Sequence, residues 1–176
     1  MPHIPSAILC AAAVGLAATT VHDAGAATLT RSFVHNATGT CQAALPSFEG
    51  LVRKRPLALQ NEEGDTAFVS CSLVGTHFGP GYNARVMDRV FIGVINNAAA
   101  PVAVNCTLVD GVAGIGSPSL IPKLAAVPAN GRAELEWTAA DNSDLRFFFA
   151  ANVQCALPPG TGISYTSSFY EEEIGH

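Results

Sequence analysis

The chain carries few residues that could perform catalysis, and their spacing is poor for it. After residue 26 the histidines are His35, His77 and His176. A serine hydrolase would need one of them beside a serine and a carboxylate, and the G-x-S-x-G turn that exposes such a serine is missing from the sequence. We therefore expect a protein that is not an enzyme, with a small secreted hydrolase as an alternative.

A metal site is the second chemistry that the residue types allow. The segment Asp141-Asn142-Ser143-Asp144 supplies oxygen ligands of the kind that Ca²⁺ takes, so Asp141 and Asp144 are weak calcium candidates. Asp and Asn are also common in turns, because their side chains hydrogen-bond to the nearby backbone. Cys and His do not cluster at zinc spacing. The turn is the favoured interpretation, and we expect neither a metal nor a cofactor.

Aromatic side chains are the better indication of binding. The candidates are Tyr82, Phe148, Tyr165 and Tyr170. Phe148 alternates with Phe147 and Phe149, so its strand is apolar on both faces. Such a strand is either central and covered on both faces, or part of a contact patch. Trp137 alternates with apolar residues and is expected in the core.

The N-terminal residues predict export. Residues 8–18 are almost wholly apolar and include Cys10, and Ala24-Gly25-Ala26 fits a cleavage site with small residues at its first and third positions. We expect residues 1–26 to be a secretory signal peptide and residues 27–176 to form one secreted or periplasmic domain. Residues 1–6 lack Lys and Arg, which leaves a buried helix as the alternative.

Four cysteines remain in the predicted mature chain: Cys41, Cys71, Cys106 and Cys155. An even number of cysteines behind an export signal is typical of a disulfide framework. Four cysteines allow three connectivities, and the sequence alone cannot choose among them. We favour Cys41–Cys71 and Cys106–Cys155, which close two moderate loops.

Alternating apolar and polar residues predict strands in four segments, residues 67–73, 102–109, 132–138 and 146–157. Residues 110–122 are rich in Gly, Ser and Pro and predict a loop. Residues 57–73 also resemble residues 92–108 at a shift of 35, including an Asn and a Cys in each copy. We interpret the two copies as β-hairpins. The predicted fold is an all-β, antiparallel β-sandwich, either Ig-like or jelly-roll-like, with two intrachain disulfides.

Charge narrows the range of partners. Without Asp23 the chain has nine basic and thirteen acidic residues, a net charge of −4. This balance argues against nucleic acid as a partner, and the mature chain contains no apolar segment of membrane-spanning length. We expect a non-catalytic binding or surface module whose partner is a protein or a glycan. A secreted inhibitor of a foreign enzyme is an alternative, and the sequence leaves the oligomeric state open.

Overall fold

The computed structural model describes residues 27–73, 87–142, 148 and 150–174. The predicted signal peptide, His77, Tyr82 and Asp144 lie outside these residues. Within the described ranges, no helix has both the length and the apolar character needed to cross a membrane.

The described chain is almost entirely strand. The strands are β1 (Ala27–Asn36), β2 (Cys41–Ala43), β3 (Val52–Arg55), β4 (Ala58–Asn61), β5 (Ala67–Ser72), β6 (Arg89–Asn96), β7 (Val102–Val112), β8 (Ile115–Val127), β9 (Gly131–Thr138), β10 (Ala151–Leu157) and β11 (Thr161–Ile174). One helical turn, α1 (Ala37–Thr40), and two 3₁₀ turns, Pro46–Phe48 and Ala139–Asp141, interrupt them.

The strands form two antiparallel sheets. One sheet has the order β3-β4-β11-β6-β9, and β1 pairs with the rest of β11 beside β4. The other has the order β2-β5-β10-β7-β8. Most connections carry the chain from one sheet to the other, as in jelly-roll folds, while β3–β4 and β7–β8 stay within one sheet. The predicted antiparallel β-sandwich is confirmed.

The core follows the predicted alternation. In β7, Val104, Cys106 and Leu108 are buried, and their neighbours along the strand are not. Trp137 in β9 is also fully buried, and its indole Nε1 donates a hydrogen bond to the carbonyl of Ile121 in β8, 2.9 Å away. This bond ties the edges of the two sheets together and satisfies the one polar atom of the indole.

Both predicted disulfides are confirmed. Cys41 in β2 is directly opposite Cys71 in β5, and Cys106 in β7 is directly opposite Cys155 in β10. All four cysteines are buried. Each bridge therefore joins two neighbouring strands of the five-stranded sheet, and neither of them links the two sheets.

The internal repeat is present, but its interpretation as two hairpins was wrong. Strands β4 and β6 belong to the six-stranded sheet, whereas β5 and β7, which follow them, belong to the five-stranded sheet. Each copy is therefore an arch that carries the chain from one sheet to the other. Alternation cannot distinguish an arch from a hairpin, because both have one apolar face on each strand.

An asparagine closes each of the two arches from inside. Asn61 and Asn96 are fully buried at the ends of β4 and β6. Each side-chain oxygen accepts a hydrogen bond from the backbone N–H two residues later, on Glu63 and Ala98. Each side-chain nitrogen donates to the carbonyl four residues later, on Asp65 and Ala100. The amides thus satisfy backbone groups that the arches leave without a ladder partner.

Candidate functional site

The outer face of the six-stranded sheet gathers aromatic and charged side chains. The pairing of β11 with β6 and of β6 with β9 places alternate residues of the three strands in rows on this side. We call this surface the aromatic face, and it consists of Arg89, Phe91, Arg132, Glu134, Glu136, Tyr165 and Phe169. Glu134 and Glu136 are exposed, and the three aromatic residues are half-buried.

Tyr165 lies across the centre of the aromatic face. A Cβ atom added to Gly93 would lie 2.3 Å from Cε1 of the tyrosine ring, so the ring passes directly over the backbone of β6. Beyond β6, the tyrosine hydroxyl donates a hydrogen bond to the Glu134 carboxylate on β9. A glycine inside the strand is therefore what allows the ring to lie along the sheet rather than project from it.

The backbone of β11 helps to place this ring. The register with β6 shifts between Ile163 and Tyr165, as in a β-bulge, and the Ser164 hydroxyl donates to the Gly93 carbonyl 3.1 Å away. A bulge commonly redirects a side chain. Here it accompanies the turn of Tyr165 toward β9.

The environment of Tyr165 keeps its hydroxyl protonated. Partial burial, together with the hydrogen bond and negative charge of Glu134, raises the pKa of Tyr165 to about 12, and the positive charge of Arg132 opposes this rise. The hydroxyl therefore remains a hydrogen-bond donor at physiological pH. The bond fixes the ring at both ends, because the other end is set by the backbone of β11.

Two phenylalanines extend the aromatic face along the sheet. The rings of Phe91 and Phe169 meet edge to face with centroids 5.4 Å apart. The guanidinium carbon of Arg89 lies 4.9 Å from the centroid of Phe169, within the range of a cation–π contact. The aromatic face thus combines apolar ring surfaces with a cation at one end and carboxylates along β9.

This combination suits hydroxyl-rich ligands. The faces of aromatic rings carry negative charge density and attract the weakly positive C–H groups on the apolar face of a sugar ring. Carboxylates accept hydrogen bonds from hydroxyl groups, and a guanidinium donates them. The arrangement offers both kinds of contact on one exposed surface.

The structure separates the candidates that the sequence suggested. Tyr165 is on the aromatic face. Phe148 is fully buried and its backbone pairs with that of Met87, so the idea that it forms a surface patch was wrong. Phe148 and Ala151 are both buried although they are three residues apart, which a single two-residue alternation does not predict. Tyr82 lies outside the described residues.

Tyr170 belongs to a different part of the surface. Its ring stacks on Phe33 of β1, with centroids 5.4 Å apart and planes inclined by 18°. Phe33 in turn stacks on His35 at 6.0 Å. Tyr170 is an odd number of residues from Tyr165 along β11, and it faces the opposite side of the β1–β11 ribbon.

The calcium candidate Asp141 is engaged within the protein. One carboxylate oxygen accepts from the backbone N–H of Thr138 at 2.7 Å, and the other lies 2.7 Å from the ammonium of Lys123. Partial burial opposes ionisation, but the hydrogen bonds from Lys123 and Thr138 outweigh it and lower the pKa of Asp141. Asp141 therefore caps a 3₁₀ turn, as the turn interpretation predicted, and Asp144 lies outside the described residues. No group of three potential metal-ligating residues occurs in the part of the chain that the structure describes.

Sequence reasoning missed Gly93, Phe91, Phe169 and Arg89. A glycine inside an apolar strand indicates that another group approaches the backbone closely. Gly93 was therefore the one residue from which the sequence could have predicted this site. The group that approaches, Tyr165, is 72 residues away, and only the pairing of β6 with β11 brings the two together.

Comparison with known proteins gives distant structural similarities only. No protein-family model matches the chain, and no curated protein matches it. Among solved structures, the chain is similar to TmCBM61 in complex with β-1,4-galactotriose, with 9% identity, a TM-score of 0.36, and coverage of 81% of this chain and 88% of that one. It is also similar to a structure of carbohydrate-binding modules from the β-sandwich superfamily, with 12% identity, a TM-score of 0.37, and coverage of 86% and 57%. A CBM4 structure matches with 8% identity, a TM-score of 0.33, and coverage of 79% and 82%.

Proposed function

We propose that the protein is an exported, non-catalytic carbohydrate-binding module and that the aromatic face is its glycan site. The observation that carries the proposal is the placement of Tyr165, whose ring lies across β6 with its hydroxyl held by Glu134. A ring held in this way loses little conformational freedom when a ligand stacks on it. Binding is therefore less costly than it would be with a mobile side chain.

The surroundings of Tyr165 support a sugar rather than an apolar ligand. Glu134 and Glu136 are exposed next to the ring, and Arg132 is exposed on the same strand. Purely apolar ligands would gain nothing from these groups and would desolvate them. A glycan can stack on Tyr165 and hydrogen-bond to the flanking carboxylates at the same time.

Export is supported by the two disulfides. Buried disulfides of this kind form in oxidising compartments, such as the periplasm and the extracellular space. The proposed setting is therefore outside the cytoplasm, after removal of residues 1–26.

The test is glycan binding by matched tyrosine variants. Binding of the full chain to an array of neutral and acidic oligosaccharides identifies a ligand, and titration calorimetry then gives its affinity. Tyr165→Ala should weaken binding by about tenfold or more, which corresponds to about 1.4 kcal/mol. Tyr170→Ala removes the same side chain from the other side of the ribbon and should leave the affinity unchanged. Full binding by folded Tyr165→Ala, or no glycan bound by the wild-type protein, would refute the proposal.

A further inference from the structure

The outer face of the five-stranded sheet differs chemically from the aromatic face. Strand alternation places the side chains of β5, β7, β8 and β10 that are not in the core on this side. In the described residues, its outward-facing side chains include amides, hydroxyls and aliphatic groups, and none of Asp, Glu, Lys or Arg. Its polar members on these strands are Ser70, Ser72, Asn105, Thr107, Asn152 and Gln154.

A cleft of about 450 Å³ lies on this uncharged face. Ser70, Val109, Asn152 and Gln154 line it from the sheet. From the β7–β8 hairpin it is lined by Gly111, Val112, Ala113, Gly114, Gly116 and Pro118. The volume falls within the range of small-molecule sites, about 300–1,000 Å³. We call it the hairpin cleft.

The wall formed by the hairpin is shaped by glycine. The register of β7 and β8 shifts between Asp110 and Val112, and Gly111 at this bulge has a φ of +140°. A Cβ atom on Gly111 would lie 3.1 Å from Cα of Pro118. Residues that carry a side chain rarely adopt this backbone conformation, so the bend requires glycine. Because glycine has no side chain, the peptide groups beside it are exposed to the cleft.

The floor of the cleft presents oriented polar groups. The Ser70 hydroxyl donates to Oδ1 of Asn152 at 2.9 Å. This bond fixes the amide plane and leaves Nδ2, for which the described residues provide no hydrogen-bond acceptor, able to donate to a ligand. Gln154 is exposed beside it and adds a second amide.

We propose that the hairpin cleft binds an uncharged polyhydroxyl ligand, in chemical terms a neutral sugar residue. Amides and hydroxyls both donate and accept, as sugar hydroxyls do, and so can pair with them in either direction. An ionised sugar would lose hydration on entering the cleft, and no opposite charge among the lining residues would compensate for it. The apolar surfaces of Val109 and Pro118 match the C–H groups of a sugar ring.

This site is separate from the aromatic face. Tyr165 is in the six-stranded sheet, whereas Ser70, Asn152 and the hairpin are in the five-stranded sheet and face the other side of the sandwich. The proposal therefore does not depend on glycan binding at Tyr165, and variants of the two faces distinguish the two proposals.

The experiment is an NMR titration of the full mature chain with galactose, glucose and mannose, with galacturonate and glucuronate as charged controls. We expect saturable shifts of the backbone amides of Ser70, Asn152, Gln154 and residues 111–116, with a millimolar Kd for at least one neutral sugar. That affinity corresponds to about −4 kcal/mol. The same shifts should persist in Tyr165→Ala and should be absent or much weaker with the acidic sugars.

Two variants at exposed positions test the cleft itself. Ala113→Gln places a longer side chain in the cleft, and Gln154→Ala removes an amide. Each should raise the Kd by about fivefold or more while the rest of the spectrum stays unchanged. Gln42→Ala, an exposed glutamine of the same sheet outside the cleft, is the matched control and should bind like the wild type. Unsaturable shifts, equal binding of acidic sugars, unaltered binding by Ala113→Gln, or loss of binding in Tyr165→Ala would each overturn the proposal.

Discussion

Asn61 and Asn96 make the same hydrogen bonds at the ends of two strands of one sheet, 35 residues apart in the chain. Each also donates to a carbonyl from a different part of the sandwich, Asn61 to Leu157 at 2.8 Å and Asn96 to Val127 and Pro128 at 3.3 and 3.0 Å. Each asparagine side chain therefore hydrogen-bonds to the backbone of its own arch and also to the backbone of a neighbouring segment.

Replacing either asparagine should lower the free energy of unfolding and leave the exposed side chains of the protein unchanged, because both asparagines are buried. Asn96→Ala leaves buried backbone groups without partners, at a cost of about 1–3 kcal/mol for each unsatisfied group. We expect a lower midpoint of urea unfolding for Asn96→Ala and for Asn61→Ala, measured by far-ultraviolet circular dichroism.

Asn96→Asp is the conservative comparison for this prediction. It keeps the oxygen that accepts from Ala98 but loses the donor to three carbonyls. It should therefore be destabilising as well. An Asn96→Asp protein as stable as the wild type would show that the donated bonds contribute little.

Gly93→Ala should displace the Tyr165 ring and leave the fold intact. The three heavy atoms nearest to the new methyl group would be two atoms of the ring and the Ser164 hydroxyl, all within 3 Å, and both side chains can move without a change in the strand. We expect glycan affinity to fall by an amount comparable to that in Tyr165→Ala, with little change in melting temperature. Gly64→Ala, where an added Cβ meets nothing within 4 Å, is the control. Undiminished binding by Gly93→Ala would mean that the position of the ring is unimportant.

The ionisation of Tyr165 provides a spectroscopic test of its hydrogen bond. Its pKa of about 12 is above the ordinary value near 10, so the folded state favours the protonated form. The stability that this contributes is fully present below about pH 10 and is lost as the pH rises toward 12. In a titration of phenolate absorbance, the difference between wild type and Tyr165→Phe should show this late transition.

Glu134→Gln removes the negative charge beside the Tyr165 hydroxyl and should lower the pKa of Tyr165 toward its ordinary value. Glu136→Gln changes the neighbouring exposed carboxylate, which makes no contact with the hydroxyl, and serves as the control. A transition near pH 10 in the wild-type difference titration would contradict the structure around Tyr165.

The two disulfides should differ in what they stabilise. On loop-closure grounds each contributes up to about 4 kcal/mol. Cys106–Cys155 joins two inner strands of its sheet, whereas Cys41–Cys71 fastens the three-residue strand β2 at the edge. Replacing Cys106 and Cys155 by Ala should lower the melting temperature of the whole domain. Replacing Cys41 and Cys71 should mainly speed hydrogen exchange in β2 and α1, measured by mass spectrometry. Equal exchange profiles for the two double variants would contradict this distinction.

Much of the fold could be predicted because its signals are local. The alternation around Cys106 identified a strand and its buried face, and the cysteine spacing favoured the correct disulfides. Trp137 was correctly predicted in the core for the same reason. The sheet to which each strand belongs is a long-range property, and for this reason the arches were interpreted as hairpins.

The β7–β8 hairpin shows a different limit of sequence reasoning. Its Pro118 and Pro122 suggested a loop, yet both lie in β8. Strand β8 is at the edge of its sheet and pairs only with β7 among the described strands, so a residue without a backbone N–H is tolerated there. The aromatic face was likewise beyond local signals, since it needs β6, β9 and β11 side by side.

The position of β10 and β11 in their sheets has a consequence for how the chain acquires its structure. Strand β10 lies between β5 and β7, and β11 lies between β6 on one side and β1 and β4 on the other. Both sheets are therefore incomplete until the last two described strands have joined them. While the chain is being synthesised from its N-terminus, four strand pairs can form before β10 and β11 are available: β2–β5, β3–β4, β6–β9 and β7–β8. Such non-local pairing is slow and leaves apolar strands uncovered. Cys106 therefore has no disulfide partner until β10, which carries Cys155, has joined its sheet, whereas Cys41 and Cys71 can pair as soon as β5 has been made.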